Sequence, residues 1–394
     1  MTSPRPRVAI VGAGIGGLTL AIALREKGID AEVLERSPEL SEAGAAVALA
    51  ANGSRLMDRL GLGTRLAWHA TVQTELVYRN GRDATRITAY PLDDRYTEMF
   101  GSPLYSLHRA DLQRVLVEAW GLPVRLGADV IGVEQTEGEA LVRLASGDTV
   151  AADLVVGADG VHSIVRRLLA GPDAPAVYSG TSGFRGLVPV EKLPSLPDPS
   201  SIQSWLGPGG HLLHYPIAGG AVINFLAVVD EPAEWTEPAW VAGDDPGKSL
   251  GVFDGWHPAV AEMLLGATPQ RWGLFAHRPL RQWYDGRVVL LGDAAHAMLP
   301  HQGQGANQTI EDAVVLAECL AAQTIPDALA RYQLLRRGRT RVIQRSSWDT
   351  SAALHLPDGP EVVARDEGLR HFPERFGWIH TYDAFAAAAA AADG

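Results

Sequence analysis
Apolar positions follow two rhythms along this chain. In the first, short runs rich in β-branched residues stop at a glycine or an acid: Arg7-Val8-Ala9-Ile10-Val11, Ala31-Glu32-Val33-Leu34-Glu35, Asp153-Leu154-Val155-Val156 and Val288-Val289-Leu290-Leu291. Such runs predict short buried strands. Between the first two, Leu18, Ala21, Ile22 and Leu24 give a helix over Leu18–Lys27 an apolar face, and Gly28 ends it. From Val177 to Val229 the rhythm changes to short alternating runs with turn residues between them, YSGTSGFRGLVPV, SIQSWLG, HLLHYPIAG and AVINFLAVV. These predict an antiparallel sheet, to which segments near Thr71–Phe100 are expected to add strands. Val252–Leu265 reads as a helix leading back toward Phe275. Thr309-Ile310-Glu311-Asp312 reads as a capping box that opens a later helix. The run Ala386–Ala392 reads as a frayed helix or a disordered tail.

The strand ends carry the chemistry. Gly12-Ala13-Gly14-Ile15-Gly16-Gly17 joins the first strand to its helix, and Glu35 closes the next strand, 18 positions after Gly17. This is the dinucleotide fingerprint in its full strand–helix–strand setting. Gly12 serves the tight turn, Gly14 the close approach of a pyrophosphate and Gly17 the packing of helix on strand; the acid is placed for a ribose hydroxyl. Arg36 reads equally well as a ribose or adenine contact and as a solvated charge. Asp159 and Asp293 end two further strands, where open α/β sheets bind ligands, although either could instead close an Asx-turn or cap a helix. Gly303-Gln304-Gly305-Ala306-Asn307 stands before the later helix and offers bare backbone N–H groups.

Composition narrows the classes. The 394 residues allow two or three structural units. The formal charge of −12 speaks against a nucleic-acid surface. Cys319 is the only cysteine, so no intrachain disulfide is possible, which suits a cytoplasmic setting. The chain shows neither a signal-peptide core nor an apolar run long enough to span a membrane. His296 and His301 lack a zinc-ligand pattern, so no metal site is expected. No G-x-S-x-G elbow is present.

Three motifs in register, GAGIGG (Gly12–Gly17), GADGVHSIVRR (Gly157–Arg167) and GDAAHAMLPHQGQGAN (Gly292–Asn307), give the chain a resemblance to a known family. Together with LHRADLQ, GFRGLVP and GWIHTYDA, they resemble the single-component FAD-dependent aromatic hydroxylases of the para-hydroxybenzoate hydroxylase fold. The branch most similar in look is that of the salicylate and hydroxynicotinate hydroxylases. The resemblance implies an α/β, Rossmann-like FAD-binding domain (1–70, 101–175 and 275–350). It also implies an inserted antiparallel substrate sheet (71–100 and 176–274) and C-terminal helices in a last segment (351–394). It implies tight, non-covalent FAD, with NADH or NADPH as a transient reductant, O2 and an aromatic substrate as partners, and a monomer or homodimer. Oxygen transfer would run through an electrophilic flavin hydroperoxide. FAD contacts are implied at the glycine turn with Ile15, at Glu35 and Arg36, at Val47 and Val130, and at Arg109 beside the pyrophosphate with Gln113. Asp293 would hold the central part of FAD, and Asp159 would lie between FAD and the nicotinamide groove. Gly303, Gly305, Ala306 and Asn307 would meet the flavin edge where negative charge develops on reduction, aided by the helix dipole.

The candidates for chemistry are Tyr215, His211 and His301, with Pro300 shaping the pocket wall. Tyr215 and His211 are four apart on a strand and so share a face, whereas His214 faces away. An electrophilic oxygen donor needs an electron-rich ring, so a base or hydrogen-bond acceptor near a phenol helps. Arg185 could meet a substrate carboxylate, but an interdomain ion pair is the expectation. The run Gly44–Asn52 is small and apolar where several relatives of the small-acid branch carry a polar residue at the place of Ala48, which suggests a roomier or more apolar pocket. The alternatives are a hydroxylase or epoxidase of a larger polyketide-like aromatic, and a non-oxygenating flavin reductase.

Overall fold
A computed structural model describes residues 5–40, 46–171, 175–232, 235, 241–242, 247–268 and 270–390, of which 241–242 and 247–248 by their backbone alone. Val8–Val11 lies in parallel between Ala31–Leu34 and Leu154–Gly157, and Leu154–Gly157 pairs in parallel with Val288–Leu290. Val124–Arg125 and the antiparallel Tyr284–Asp285 complete a six-stranded sheet. Leu34, Val11, Gly157 and Leu290 are neighbours in register. The four strands therefore end level, and the glycine turn, Glu35, Ala158 and Gly292 leave the sheet along one line.

The first helix runs Ile15–Glu26, starting three residues earlier than the apolar spacing predicts. It is buried on every side from Ile15 to Leu24. It is wedged among the sheet and the helices Arg109–Trp120 and Gly305–Ala322, so no single apolar face describes it.

The second large sheet has eight strands, in the order Val241–Ala242, Gln270–Ala276, Val177–Pro189, Val222–Asp230, Gly210–Ile217, Ile202–Gly207, Glu75–Asn80 and Arg86–Pro91. All neighbours are antiparallel except Ile202–Gly207 with Glu75–Asn80. One face carries Phe184, Val188, Trp205, Leu212 and Phe225 against Phe253, Trp256, Val260 and Met263. The covering segment is not the continuous helix expected over Val252–Leu265. It is a short 3-10 turn, Gly251–Phe253, and a helix, Pro258–Leu265. Gly255, at φ +77, and Pro258, with His257 capping Ala259, break it between. The other face of the sheet looks toward the level strand ends of the first.

Ile325–Leu354 is a single long helix, followed by Pro360–Leu369, Phe372–His380 and Ala384–Ala390. As far as it is described, the alanine run is helical. Ala384 and Ala388 are buried and Arg331 donates to the Ala388 carbonyl; Ala391 and Ala392 lie outside the described residues. Gly44 and Ala45, the first residues of the small apolar run, also lie outside them.

Candidate active site
Between the two sheets lies a cavity of about 580 Å³. One wall comes from the line of strand ends: Gly14, Ile15, Gly16, Val47, Arg109, Asp293, Gly303, Gly305 and Ala306. The opposite wall is the second face of the eight-stranded sheet. There the register aligns Tyr78, Ser204, Leu213, Leu226 and Arg185, one residue from each of five strands, in a single row. Tyr215 and Asn224 pair in the next row. All seven line the cavity.

The glycine turn has the shape of a cradle. A Cβ on Gly12 would sit 2.5 Å from the Ala158 carbonyl oxygen, and φ there is +106°, so both space and backbone require glycine. A Cβ on Gly17 would lie 1.9 Å from the Gly12 carbonyl oxygen, the close packing of helix and strand that the fingerprint implies. Gly14 is different: a Cβ there would meet nothing within 4 Å, and the same holds at Gly303. The turn is thus packed from behind and open in front, with the N-terminus of the Ile15–Glu26 helix facing the opening. Glu35 accepts hydrogen bonds from Ala13 N at 2.9 Å and Ser37 N at 2.8 Å. With Ala13, Gly14 and Gln113 it lines a second cavity of about 120 Å³.

The helix after the third motif begins at Gly305, not at the expected capping box. Thr309 donates back to the Gly305 carbonyl at 2.9 Å, and Glu311 and Asp312 are fully buried inside the helix bundle. Its first-turn N–H groups therefore belong to Gly305, Ala306 and Asn307, beside Asp293. The Asn307 side chain is used up as a clasp. It accepts from Ala50 N at 3.0 Å and donates to the carbonyls of Ala48 at 3.1 Å and Gly303 at 2.8 Å. This fixes the small run Ala46–Ala50, and Ala46, Ala48 and Ala50 line the cavity.

Other residues take less direct positions. Asp159 caps the Ile164–Ala170 helix, accepting from Ile164 N at 2.7 Å, and its second oxygen is buried without a partner among the described residues. Burial raises its pKa while Ser163 and the helix N–H groups lower it. The cap alternative therefore describes its geometry, and Ala158 and Gly160 line the cavity in its place. Val130 is buried in the core and lines neither cavity. Arg36 is exposed, and its charge is felt by His162.

Among the catalytic candidates, Tyr215, Pro300 and His301 line the cavity. His211 stands one ring behind, in edge contact with His301 at 5.2 Å between centroids. Both nitrogens of His301 are buried without a hydrogen-bond partner among the described residues, and so is Asn224 Oδ1. Burial pushes His301 down to about 3, with His355 adding to the effect, so the ring is neutral at ordinary pH. Burial raises the Tyr215 hydroxyl, while the neighbouring Arg185 and Arg109 pull it down.

Arg185 corrects an expectation: it makes no ion pair among the described residues. Its surface is accessible, yet burial followed by Arg109 lowers its pKa as for an enclosed group. The two observations agree because the space it faces is the cavity. Nothing in the sequence separated this arginine from a surface one; only the sheet order puts it in a row with Leu226 and Leu213. No group of three or more metal-ligating side chains occurs among the described residues.

Comparison with known proteins agrees with this geometry. The chain is 40% identical to the 3-amino-4-hydroxybenzoate 2-monooxygenase PtmB3 of Streptomyces platensis over 393 residues, 98% of each chain. It superposes on a salicylate hydroxylase substrate complex with a TM-score of 0.85 at 30% identity, covering 98% of both chains. With Klebsiella pneumoniae HpxO, crystallised with FAD and uric acid, the TM-score is 0.83 at 30% identity, covering 94% of both. The FAD binding domain family matches residues 5–345, and the chain belongs to that family.

Proposed function
We propose that this chain is an FAD-dependent monooxygenase that uses NAD(P)H and O2 to hydroxylate a carboxylated phenol of the aminohydroxybenzoate or hydroxybenzoate kind. One observation carries the reading. The open glycine cradle and the row Tyr78, Ser204, Leu213, Leu226 and Arg185 face each other across a single cavity. A bound cofactor and an aromatic ring therefore share one enclosed space. Bound FAD supplies acceptance of hydride and activation of dioxygen for transfer to the ring.

The chain's own groups do the rest. Leu213, Leu226 and Leu299 hold a flat apolar ring and exclude water. Arg185 favours an ionised oxygen of the substrate, because an opposite charge at short range stabilises the anion. Tyr215, kept protonated by burial, donates to such an oxygen. His301 and Asn224 add polar side chains to the same wall. The first turn at Gly305, with Asp293 and Arg109, would seat the flavin and steady the negative charge it gains. Cys319, buried and pushed up to about 11 by that burial, suits the reducing cytoplasm proposed as its setting.

The small residues Ala46, Ala48 and Ala50 leave room on the cavity wall and support a second reading, a hydroxylase of a larger aromatic. One experiment separates the readings. FAD-loaded protein is mixed with NADH or NADPH and 3-amino-4-hydroxybenzoate, salicylate, hydroxynicotinates or larger phenols, and product mass is recorded. A single-ring acid that speeds oxidation and gains one oxygen atom supports the first reading; response to larger phenols alone supports the second. Faster oxidation without oxygenated product would make the protein a reductase.

A further inference from the structure
The cavity wall opposite the glycine cradle is longer than one aromatic ring. From Arg185 the row runs through Leu226, Leu213 and Ser204 to Tyr78, crossing five neighbouring strands. At about 4.8 Å between strands the row spans about 19 Å, of which a benzoate with its carboxylate covers about half. A ring whose acid meets Arg185 lies over Leu226 and Leu213, and Ser204 and Tyr78 stay beyond its reach. In the next row Ile202 pairs with Leu76, and both line the cavity at the same far end.

This far end has a roof of its own. The helices Pro360–Leu369 and Phe372–His380 bring Leu369, Phe372 and Phe376 to the cavity. Tyr90, on the edge strand and opposite Leu76, ties roof to floor. It donates to the Leu369 carbonyl, accepts from Phe372 N at 3.3 Å, and packs its ring on Phe372 at 5.4 Å between centroids. Tyr96 makes a second tie: its hydroxyl accepts from Ala51 N at 3.1 Å and shares a hydrogen bond of 2.7 Å with His380 Nδ1. The roof is thereby anchored to the small run Ala46–Ala50, and Ala46 packs in one cluster with Leu76, Ile202 and Tyr215.

Charge separates the two ends. Arg185 offers its cation to the cavity. At the far end Arg365, with a side chain 8% exposed, gives Nε and Nη2 to Asp366 at 2.8 and 2.7 Å, so its charge is already balanced. Arg375 stands exposed at the outer rim, over the Phe376 ring. Burial, with Tyr90 beside it, raises the Tyr78 hydroxyl, which therefore stays protonated. One end of the row suits an acid; the other is neutral and mainly apolar, with the hydroxyls of Ser204 and Tyr78 as donors for a carbonyl.

We propose that the far end is a second subsite, and that the substrate is a hydroxybenzoate bearing a neutral, aryl- or acyl-sized substituent on the side of the ring away from its carboxylate. The proposal rests on the hydroxylase reading above and adds the part of the molecule that does not react. Arg185 takes the acid, Leu213 and Leu226 the phenol ring, and Ile202, Leu369 and Phe372 the substituent. No bond in the substituent forms or breaks; its burial sets orientation. A one-ring acid held at Arg185 alone can swing along the row, whereas a molecule held at both ends presents one ring carbon to the cofactor.

The probes are 3-amino-4-hydroxybenzoate and its N-benzoyl derivative, 3-benzamido-4-hydroxybenzoate. The isomer 2-benzamido-4-hydroxybenzoate, with its substituent beside the carboxylate, controls for non-specific apolar binding. Affinity for the full FAD-loaded chain is read from the change in flavin absorbance. The 3-benzamido compound is expected to bind about ten-fold or more tighter than both others, as burial of a further ring implies. Leu369→Trp, which fills the far end, and Phe372→Ala, which thins its roof, are expected to remove that gain. Both should leave the affinity for 3-amino-4-hydroxybenzoate within about two-fold, which also reports an intact fold. Equal affinity for the first two compounds, a gain shared by the 2-benzamido isomer, or a gain that survives Leu369→Trp would overturn the subsite and leave the carboxylated-phenol reading standing. Binding of none of the three would bring down that reading and the subsite with it.

Discussion
The two sides of the Gly305–Ala322 helix are built on opposite principles. On the side away from the cavity, Asp312 accepts from Arg336 Nε at 2.7 Å, His296 Nε2 at 2.5 Å and Gly292 N at 3.0 Å. Glu311 accepts from Asn52 at 2.6 Å, from both Arg339 donors at 2.8 and 2.9 Å and from Arg336 at 2.5 Å. These acids are fully buried and yet held below their ordinary pKa. Burial works against ionisation, but Arg336 and Arg339 on Glu311, and His296 and Arg336 on Asp312, outweigh it. On the cavity side, Arg185 faces the cavity and makes no ion pair among the described residues. Paired buried charges hold a frame in place; unpaired ones wait for something to arrive. The network reaches the frame's working edge through Gly292 N, so the level of the third motif's loop is set by charges the substrate never meets.

The contrast is broken most forcefully from the paired side. Arg336→Met would leave Glu311 and Asp312 buried with too little compensation and is expected to lower stability by about 3–5 kcal/mol. Denaturant unfolding of the apo and FAD-loaded protein measures it; a loss under about 1 kcal/mol would mean the network relaxes or takes in water. The second effect is on the cofactor. Asp293→Ala should weaken FAD binding by about ten-fold or more, one hydrogen bond to a charged group, while the unfolding midpoint of the apo protein stays put. Flavin released on dilution reports it, and full occupancy with full activity would remove Asp293 from the cradle.

The open side gives the smaller, sharper tests. Arg185→Met should raise the pH at which the bound phenol ionises, so that kcat/KM falls at neutral pH and recovers as pH rises. Equal losses at all pH values would assign the arginine to packing. Tyr215→Phe should lower kcat several-fold and leave the fold intact; unchanged hydroxylation across pH would end its proton-handling role. The last test concerns acid stability. His214 is buried on the reverse face with both nitrogens unpaired among the described residues, and burial followed by Arg79 pushes it down to about 3. The unfolded chain binds that proton near pH 6.5 and the folded one does not. Stability is therefore full above about 6.5 and falls as pH drops toward 3. His214→Phe should reduce this slope by about 1.4 kcal/mol per pH unit between those values. An unaltered slope would show that the ring is protonated in the fold.

What the sequence disclosed follows from how far each feature reaches along the chain. Gly12, Gly14, Gly17 and Glu35 lie within one strand–helix–strand unit, so their spacing carries their geometry. The alternation of His211, Leu213 and Tyr215 likewise gave a shared face. It could not say that Leu213 stands between Leu226 and Ser204, because those neighbours come from other strands. His355 is 144 residues from His211, and no local pattern announces their contact. Arg185 was misjudged for the same reason: an arginine in a strand reads as a charge needing a partner until the sheet order shows what it faces. The capping box at Thr309–Asp312 failed for a different cause. The acids that fit the pattern answer to Arg336 and Arg339, and tertiary pairing overrode a local rule.

The level strand ends bear on how this chain can tolerate change. Inserting one residue within Val8–Val11, Leu154–Gly157 or Val288–Leu290 would push that strand's loop about 3.3 Å past its neighbours and turn its side chains over. The same residue added in an exposed connection between motifs would cost only a little loop entropy. Length is thus free to drift between the motifs and rigid within them, and the cradle is less a set of loops than a common finishing line that the strands must reach together.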